Sequence, residues 1–339
     1  MPEFDFLWWI GLAVCSLLLL LSFALLIDFF RYLGYFTTRR SVAGSLIVLT
    51  GAGGGLGRAL ALEFARRGAV LALWDIRADA LDELVNWLMR EHGVPPSSLH
   101  SKVVDVADAA AVAAAAEALN ASVGPARVIL SNAAIVGGVA VLDASAERLR
   151  TAFDVNALSH FWLARAFLPQ MLSSAQHQHT RARGVFVTMG SLMAELPAAR
   201  LSDYCATKAA TAQLHECLRW ELQQGTQGTP CDVRCLHVQP YMVDHRDSPL
   251  FAGGTPVKLP WLRPLVPPLR AATVARRVAS AVEGAGGALG IERLVLPYHF
   301  KWLPPVLMWL PTFARDLLLD LAGAGCAMDG FVGRQPTPG

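Results

Sequence analysis

The chain has 339 residues, of which 54% are hydrophobic and 17% charged, with a formal net charge of +2 at pH 7. That length suits one α/β domain of about 250 residues with terminal additions and demands no second core. The charged share lies below the ~25% usual for a soluble domain, so the chain carries apolar surface beyond one core, and membrane contact is the simplest explanation. The small net charge, with no basic run interleaved with aromatics, argues against a nucleic-acid partner.

The first element is an apolar helix. No charged residue occurs from Phe6 to Ile27, and about 20 apolar helical residues cross a hydrocarbon core. Glu3 and Asp5 stand where a cleaved signal would be basic, and the absence of a polar face argues against a soluble core helix. Arg31, Arg39 and Arg40 follow the run, which places the rest of the chain in the cytosol. The alternative is a segment lying in one leaflet, as on a lipid droplet. Residues 1–40 are therefore expected to be a membrane anchor with a basic flank.

Residues 45–50 form a short β-branched apolar run, followed by GAGGGLG and then by apolar residues at helical spacing. Strand, Gly-rich turn and helix in this order suit a pyrophosphate, because the backbone must turn sharply, approach closely and offer a helix N-terminus. Thr50, Gly51, Gly53, Gly55, Leu56 and Gly57 are the expected contacts. A second strand, VLALWD, ends in Asp75, eighteen residues past Gly57, near the offset at which an acid meets the adenosine ribose hydroxyls. A carboxylate there repels a 2′-phosphate, so NAD is favoured over NADP; Arg77 partly offsets this, while Gly54 leaves no basic side chain in the turn. The third strand, HSKVVDV, ends at Asp105, which is expected to reach the adenine amino group, to cap the Ala-rich helix starting near Ala109, or to do both. Ile76 and Val106, next in the chain to these acids, are counted with them as cofactor contacts. The fourth strand ends in Asn132, Ala133 and Ala134, whose small side chains let a ribose approach the backbone.

TGAGGGLG at 50–57, NAA at 132–134, Asn156 in DVNA, Ser191 in TMGS and the Tyr204-Cys-Ala-Thr-Lys208 run resemble, in order and spacing, the signature of the short-chain dehydrogenase/reductase superfamily. The resemblance covers about 45–245 and implies a doubly wound Rossmann-type fold with a parallel seven-stranded sheet. It makes Asn156, Ser191, Tyr204 and Lys208 the catalytic set. Oxidising an alcohol requires a base for the hydroxyl proton. Tyrosine titrates near 10 and needs help, which Lys208, one helical turn along, supplies by favouring the phenolate. By resemblance, Lys208 also binds the nicotinamide ribose and Asn156 positions a relay water, while Ser191 holds the substrate oxygen. After the sixth strand the family commonly has Pro-Gly and a threonine. Here Pro240 is followed by Tyr241-Met242-Val243, so Pro240 and Val243 remain as cofactor contacts and Tyr241 is expected to line the substrate pocket.

Six cysteines, at 15, 205, 217, 231, 235 and 326, are scattered through segments that read as core or membrane, the pattern of reduced thiols. Cys231, Cys235 and His237 alternate along a run that reads as a buried strand, and His177 and His179 sit in a loop-like insertion at 173–183, so no metal is expected. Residues 223–230 read as a turn-rich connection.

The proline-rich stretch 246–270 occupies the place of the family's substrate-covering loop and suggests a lipophilic alcohol or ketone drawn from a bilayer. A last crossover helix (ATVARRVASAVEGA) and seventh strand (RLVLPYH) close a catalytic domain at 41–300. Residues 301–339 read as an amphipathic extension that adheres to a membrane, with Trp302 and Trp309 at the interface, or packs on the domain. The ending AMDGFVGR, the WDI after the second strand and the anchor resemble the epidermal retinol dehydrogenase and 17β-hydroxysteroid dehydrogenase subgroup. This implies NAD-dependent oxidation of retinol or a steroid alcohol at the endoplasmic reticulum or on lipid droplets. The alternatives are an NADPH-dependent reductase of a lipid ketone and a nucleotide-binding membrane scaffold without turnover. The family resemblance also implies a homodimer through the helices that carry Asn156 and Tyr204.

Overall fold

The computed structural model describes residues 2–32, 39–177, 184–225, 233–244, 247, 250, 268–284, 292–326, 328, 329 and 331. Seven strands form one parallel sheet in the order β3-β2-β1-β4-β5-β6-β7. They are β1 (Leu46–Thr50), β2 (Val70–Asp75), β3 (Leu99–Val103), β4 (Val128–Ser131), β5 (Gly184–Met189), β6 (Val233–Pro240) and β7 (Arg293–Leu296). In β1 all five residues are buried, as a parallel strand covered on both faces requires. Its alternation decides which helices cover which face. Ile47 and Leu49 join a cluster with Leu60 and Phe64 of α2 (Gly55–Arg66), Leu84 of α3 (Ala78–His92) and Val278 of α8 (Ala271–Gly284). Leu46 and Val48 point the other way, toward Val112 of α4 (Ala109–Ser122) and Phe167 of α6 (Ser159–His177). Each fully buried aliphatic or aromatic side chain in these layers contributes about 1.5–3 kcal/mol.

The sheet order reverses between β1 and β4. Helices leave the sheet on opposite faces there, and a crevice opens at the carboxyl ends of the strands. α5 (Ala146–Phe153) packs against α7 (Ser202–Gln224), which in turn packs on β6. The helix from near Ala109 is capped by Asp108, whose Oδ1 accepts from Ala110 N (2.8 Å) and Ala111 N (3.1 Å). Asp105 is not that cap: its carboxylate accepts from Ala107 N at 2.9 Å, one turn too early.

α1 runs from Pro2 to Tyr32. Among the described residues, no helix is long and apolar enough to cross a membrane, so the expected span is not shown by the fold. The helix is nonetheless apolar on its exposed surface, at Trp8, Trp9, Leu19, Leu20 and Phe23. Its end is tied to the domain: Tyr298 Oη donates to Asp28 Oδ2 at 2.9 Å, Lys301 Nζ pairs with Asp28 at 2.5 Å, and Phe29 meets the Tyr298 ring at 5.8 Å.

The extension forms α9 (Leu303–Trp309) and α10 (Thr312–Leu321). One side packs on the domain, where Leu307, Leu310 and Leu319 meet Leu192, Leu196 and Phe300. The other side exposes Met308 (79%), Trp309 (89%) and Phe313 (76%). Packing on the domain, one of the two expectations for this segment, is thus seen on one side of it, and the other side is an exposed apolar face. The expected lid at 246–270 falls outside the described residues except for 247, 250 and 268–270. So do Cys231 and most of the 173–183 and 223–230 stretches.

The core encloses three histidines. His160 of α6, His215 of α7 and His237 of β6 are all buried, and the last two rings stack at 5.0 Å. Burial pushes His160 down to about 3 and His215 to about 4, and holds His237 well below its usual 6.5. The folded state keeps these rings neutral, whereas the unfolded chain protonates them below 6.5. Stability is therefore lost as pH falls from 6.5 toward 4, by up to about 1.4 kcal/mol per pH unit per histidine. The melting temperature is expected to drop between pH 7 and pH 5, and His160→Leu to flatten that drop; an unchanged slope in the variant rejects this assignment.

Candidate active site

The floor of the crevice is the β1–α2 turn. Gly51 has φ of +65°, and a Cβ there would sit 2.8 Å from Ala133 Cα. A Cβ on Gly57 would sit 2.1 Å from Gly51 O, so only glycine lets α2 begin against its own turn. α2 starts with no side-chain cap and no acid in its first turn. Its first N–H groups thus have no side chain competing for them, and Gly55, Leu56 and Gly57 line the crevice.

Asp75, at the end of β2, is buried. Its Oδ2 accepts from Gly53 N at 2.9 Å and its Oδ1 from Arg77 N at 3.1 Å. Arg77 folds back over this acid: Nε lies 3.7 Å from Asp75 Oδ1, and Nη2 donates to Gly53 O at 3.1 Å. The carboxylate thus braces the turn and meets a cation at once.

Thr50 is buried and does not line the crevice. Its Oγ1 accepts from Asn132 N (3.0 Å) and Ala133 N (3.1 Å), locking β1 to the end of β4. Asn132 Nδ2 answers by donating to Thr50 O at 3.0 Å.

The chemical end is assembled from β5, α7 and a distorted turn before α6. Residues Asp154–Leu158 form one turn of π-helix, a widening common at functional sites. Asn156 lies in it, fully buried. Its Oδ1 accepts from Ile135 N (2.8 Å), while Nδ2 donates to Ile135 O (2.9 Å) and to Thr207 Oγ1 (3.2 Å). The Asn156 carbonyl accepts from Thr211 Oγ1 at 2.8 Å. Ser191, just past β5, hydrogen-bonds the Tyr204 hydroxyl. Lys208 is buried with Nζ donating to Met189 O at 2.9 Å and lying 5.6 Å from the Tyr204 ring centroid.

Burial dominates the electrostatics. It raises Tyr204 well above 10, with the Ser191 hydrogen bond opposing, and it lowers Lys208 to about 8. A lysine at that value still carries its charge at neutral pH, directly behind the phenol.

These groups share one cleft of ≈ 320 Å³. It is lined by Gly51, Gly55, Leu56, Gly57, Asp75, Ile76, Asp105, Val106, Asn132, Ala133, Ala134, Ser191, Tyr204, Lys208, Pro240 and Val243. Of the residues expected from sequence, Thr50, Gly53 and Asn156 act from behind it through hydrogen bonds. A long cleft with a glycine cradle at one end and a Ser-Tyr-Lys set at the other fits a dinucleotide followed by an alcohol.

A family model for the short chain dehydrogenase matches residues 45–248. This chain belongs to that family. The mouse epidermal retinol dehydrogenase 2 is 32% identical over 298 residues, covering 88% of each chain. Zebrafish (Danio rerio) retinol dehydrogenase 10-A is 32% identical over 280 residues, covering 77% of this chain and 78% of that one. Among solved structures, a Burkholderia phymatum short-chain dehydrogenase/reductase in complex with NAD matches with a TM-score of 0.64 at 23% identity, covering 83% of this chain and 96% of that one. An alcohol dehydrogenase from Thermococcus sibiricus with 5-hydroxy-NADP gives 0.60 at 24% identity, over 74% and 95%. The short-chain dehydrogenase is thus an NAD(P)-dependent oxidoreductase acting on alcohols, with a nicotinamide dinucleotide as cofactor.

Sequence reading missed Ile135, Met189, Thr207 and Thr211. A signal for the last two existed: Tyr204, Thr207, Lys208, Thr211 and His215 recur at helical spacing on α7, and all are buried, a polar stripe where a core helix would be apolar. Ile135 and Met189 take part through backbone atoms, which leave no mark on residue type.

The buried Lys208 opposes stability. The folded state binds fewer protons than the unfolded chain between about 8 and 10.5, so the penalty is fully present below 8 and fades as pH rises through that window. Lys208→Met is expected to leave stability at pH 7 equal to wild type or higher by about 2 kcal/mol, after the lost Met189 hydrogen bond is counted. Chemical denaturation at pH 7 and pH 10 checks this; a large loss at pH 7 contradicts it.

Proposed function

We propose that the enzyme oxidises a lipophilic alcohol of the retinol or hydroxysteroid class with NAD, Tyr204 acting as general base. The observation that carries this is the convergence of Tyr204, Ser191 and Lys208 at one end of the cleft, with apolar Ile135, Val155, Tyr241 and Leu250 beside them. Ser191 and Tyr204 hold the alcohol oxygen. Tyr204 takes the hydroxyl proton as hydride leaves the carbinol carbon, and Lys208 stabilises the phenolate and holds the nicotinamide ribose. The bound nicotinamide supplies the hydride acceptor. Asn156, as the family resemblance implies, positions the water that returns the proton to solvent.

Retinol dehydrogenases similar to this chain, such as the mouse and zebrafish proteins, favour a retinoid among lipophilic alcohols. Turnover of all-trans-retinol, a 17β-hydroxysteroid and a long-chain alcohol by detergent-solubilised enzyme tests the assignment. Retinal formation supports it, and activity confined to NADPH with a ketone reverses the reaction. Tyr204→Phe is expected to lower kcat by about 10²–10⁴-fold with NADH binding retained; a nucleotide-binding scaffold would show no turnover to lose.

The proposed NAD preference rests on Asp75, which lines the cleft beside the glycine turn. The folded-back Arg77 favours a second reading, acceptance of NADP. Asp75→Ala is expected to shift the NAD/NADP ratio of kcat/KM toward NADP by tenfold or more, and an unchanged ratio assigns preference elsewhere.

The exposed apolar faces of α1, α9 and α10 support attachment to an endoplasmic reticulum or lipid-droplet membrane with the domain on the cytosolic side. Exposed Phe153, Leu158 and Phe161 near the Asn156 helix support a homodimer.

A further inference from the structure

Gly190 links the two groups that attend Tyr204. The carbonyl of Met189 before it accepts from Lys208 Nζ at 2.9 Å, and Ser191 after it hydrogen-bonds the Tyr204 hydroxyl. Its own N–H donates to Val238 O at 2.8 Å, so the chain leaving β5 is still paired with β6 at this point. The position has no side chain of its own to fix it. A Cβ there would lie 2.1 Å from His237 Nε2 and 2.9 Å from Cδ2, and the three nearest atoms all belong to that ring. The imidazole of His237 therefore stands where the side chain of residue 190 would be.

The ring is not free to swing away. His237 is 2% exposed and lies in register with Thr188 across the β5–β6 ladder. Its ring stacks on His215 of α7 at 5.0 Å and 28°, and His215 Nδ1 lies 3.2 Å from Thr188 Oγ1. Burial keeps both rings neutral at neutral pH, with His215 held at about 4 and His237 well below 6.5. Among the described residues His237 Nε2 has no hydrogen-bond partner, so it is the bulk of the ring that meets Gly190. Contact thus runs from α7, the helix of Lys208, through His215 and His237 to the peptide between Met189 and Ser191.

We propose that His237, backed by His215, is a positioning residue: its ring stands in for a side chain at residue 190 and sets the peptide that presents Ser191 to the Tyr204 hydroxyl and the Met189 carbonyl to Lys208. The proposal deepens the alcohol-oxidising reading above and rests on it for its kinetic test. A close-packed interior passes on the displacement of such a spacer instead of absorbing it, and a misplacement of about 1 Å at the reacting groups costs about a hundredfold in rate.

The test uses the full chain in detergent with NAD and the alcohol it turns over fastest. His237→Ala removes the spacer and Gly190→Ala drives a methyl into it, and each is expected to lower kcat by about tenfold to a hundredfold. NADH binding to His237→Ala is expected to stay within about twofold of wild type, since the ring acts on kcat and not on cofactor affinity. In the double variant the new methyl takes the vacated space, and kcat is expected to exceed that of either single variant and return to within about threefold of wild type. Single losses that multiply in the double variant overturn the proposal. A double variant that recovers the melting temperature and not kcat means that the histidine stack only holds the fold, and overturns it too. If His237→Ala does not fold alone, the double variant is compared with Gly190→Ala, and a double variant that is no faster, or does not fold, overturns the proposal. Lysine is rare in this chain, so the Lys208 side-chain NMR signal of lysine-labelled enzyme with NADH reads the same contact without turnover. It is expected to shift in both single variants and return in the double. A wild type that turns over no alcohol but shows this pattern removes the reaction and keeps the positioning contact, whereas turnover with a Lys208 signal unmoved in His237→Ala does the reverse.

Discussion

The site hangs on the side chain of Asn156. Its amide completes the backbone hydrogen bonding of Ile135 in both directions, as a neighbouring strand would, at the point where β4 runs out of sheet partners. The same side chain reaches Thr207, and its own carbonyl is met by Thr211, both on α7. One residue thereby fixes three elements: the end of the cofactor strand, the π-turn and the helix that carries Tyr204 and Lys208. A fully buried amide left without these partners would cost about 1–3 kcal/mol for each lost bond, so the three elements are held together or not at all.

The cofactor end is organised by a different constraint, close backbone approach. Gly51 and Gly57 let a turn and a helix start occupy almost the same space, and Thr50 and Asn132 lock that turn to the next strand through backbone atoms. Asp75 serves this architecture before any ligand arrives, since it accepts from the turn's own Gly53. An arginine is already folded against it, so charge at that end is the balance of a pair, and the proposed discrimination at the ribose would depend on both.

Beyond the sheet, the molecule separates its apolar surface by face. α9 and α10 give one side to the domain and one to the surroundings, and α1 is joined to the same region through Asp28, Tyr298 and Lys301. Apolar groups with no core to enter are thereby gathered on elements that pack against Leu192, Met193 and Tyr241, close in the chain to Ser191 and Pro240.

The seven strands and the glycine cradle were legible in the sequence because each depends on residue type at fixed spacing: apolar runs for buried parallel strands, glycine where no Cβ fits. The spacing of Tyr204 and Lys208, one helical turn apart, likewise set both on one face of α7, while the order of the strands came from the tertiary structure. Asp108 rather than Asp105 as the cap of α4 was not legible, because two acids three positions apart read alike and only backbone geometry chooses between them. Nor was the placement of Thr50 behind the cleft instead of in it, nor the part played by the Ile135 and Met189 backbone atoms, which any residue could supply. The return of Met328 and Phe331 to Tyr204 was equally hidden. More than a hundred residues separate them along the chain, no local pattern encodes that contact, and only the tertiary path of the extension brings them together.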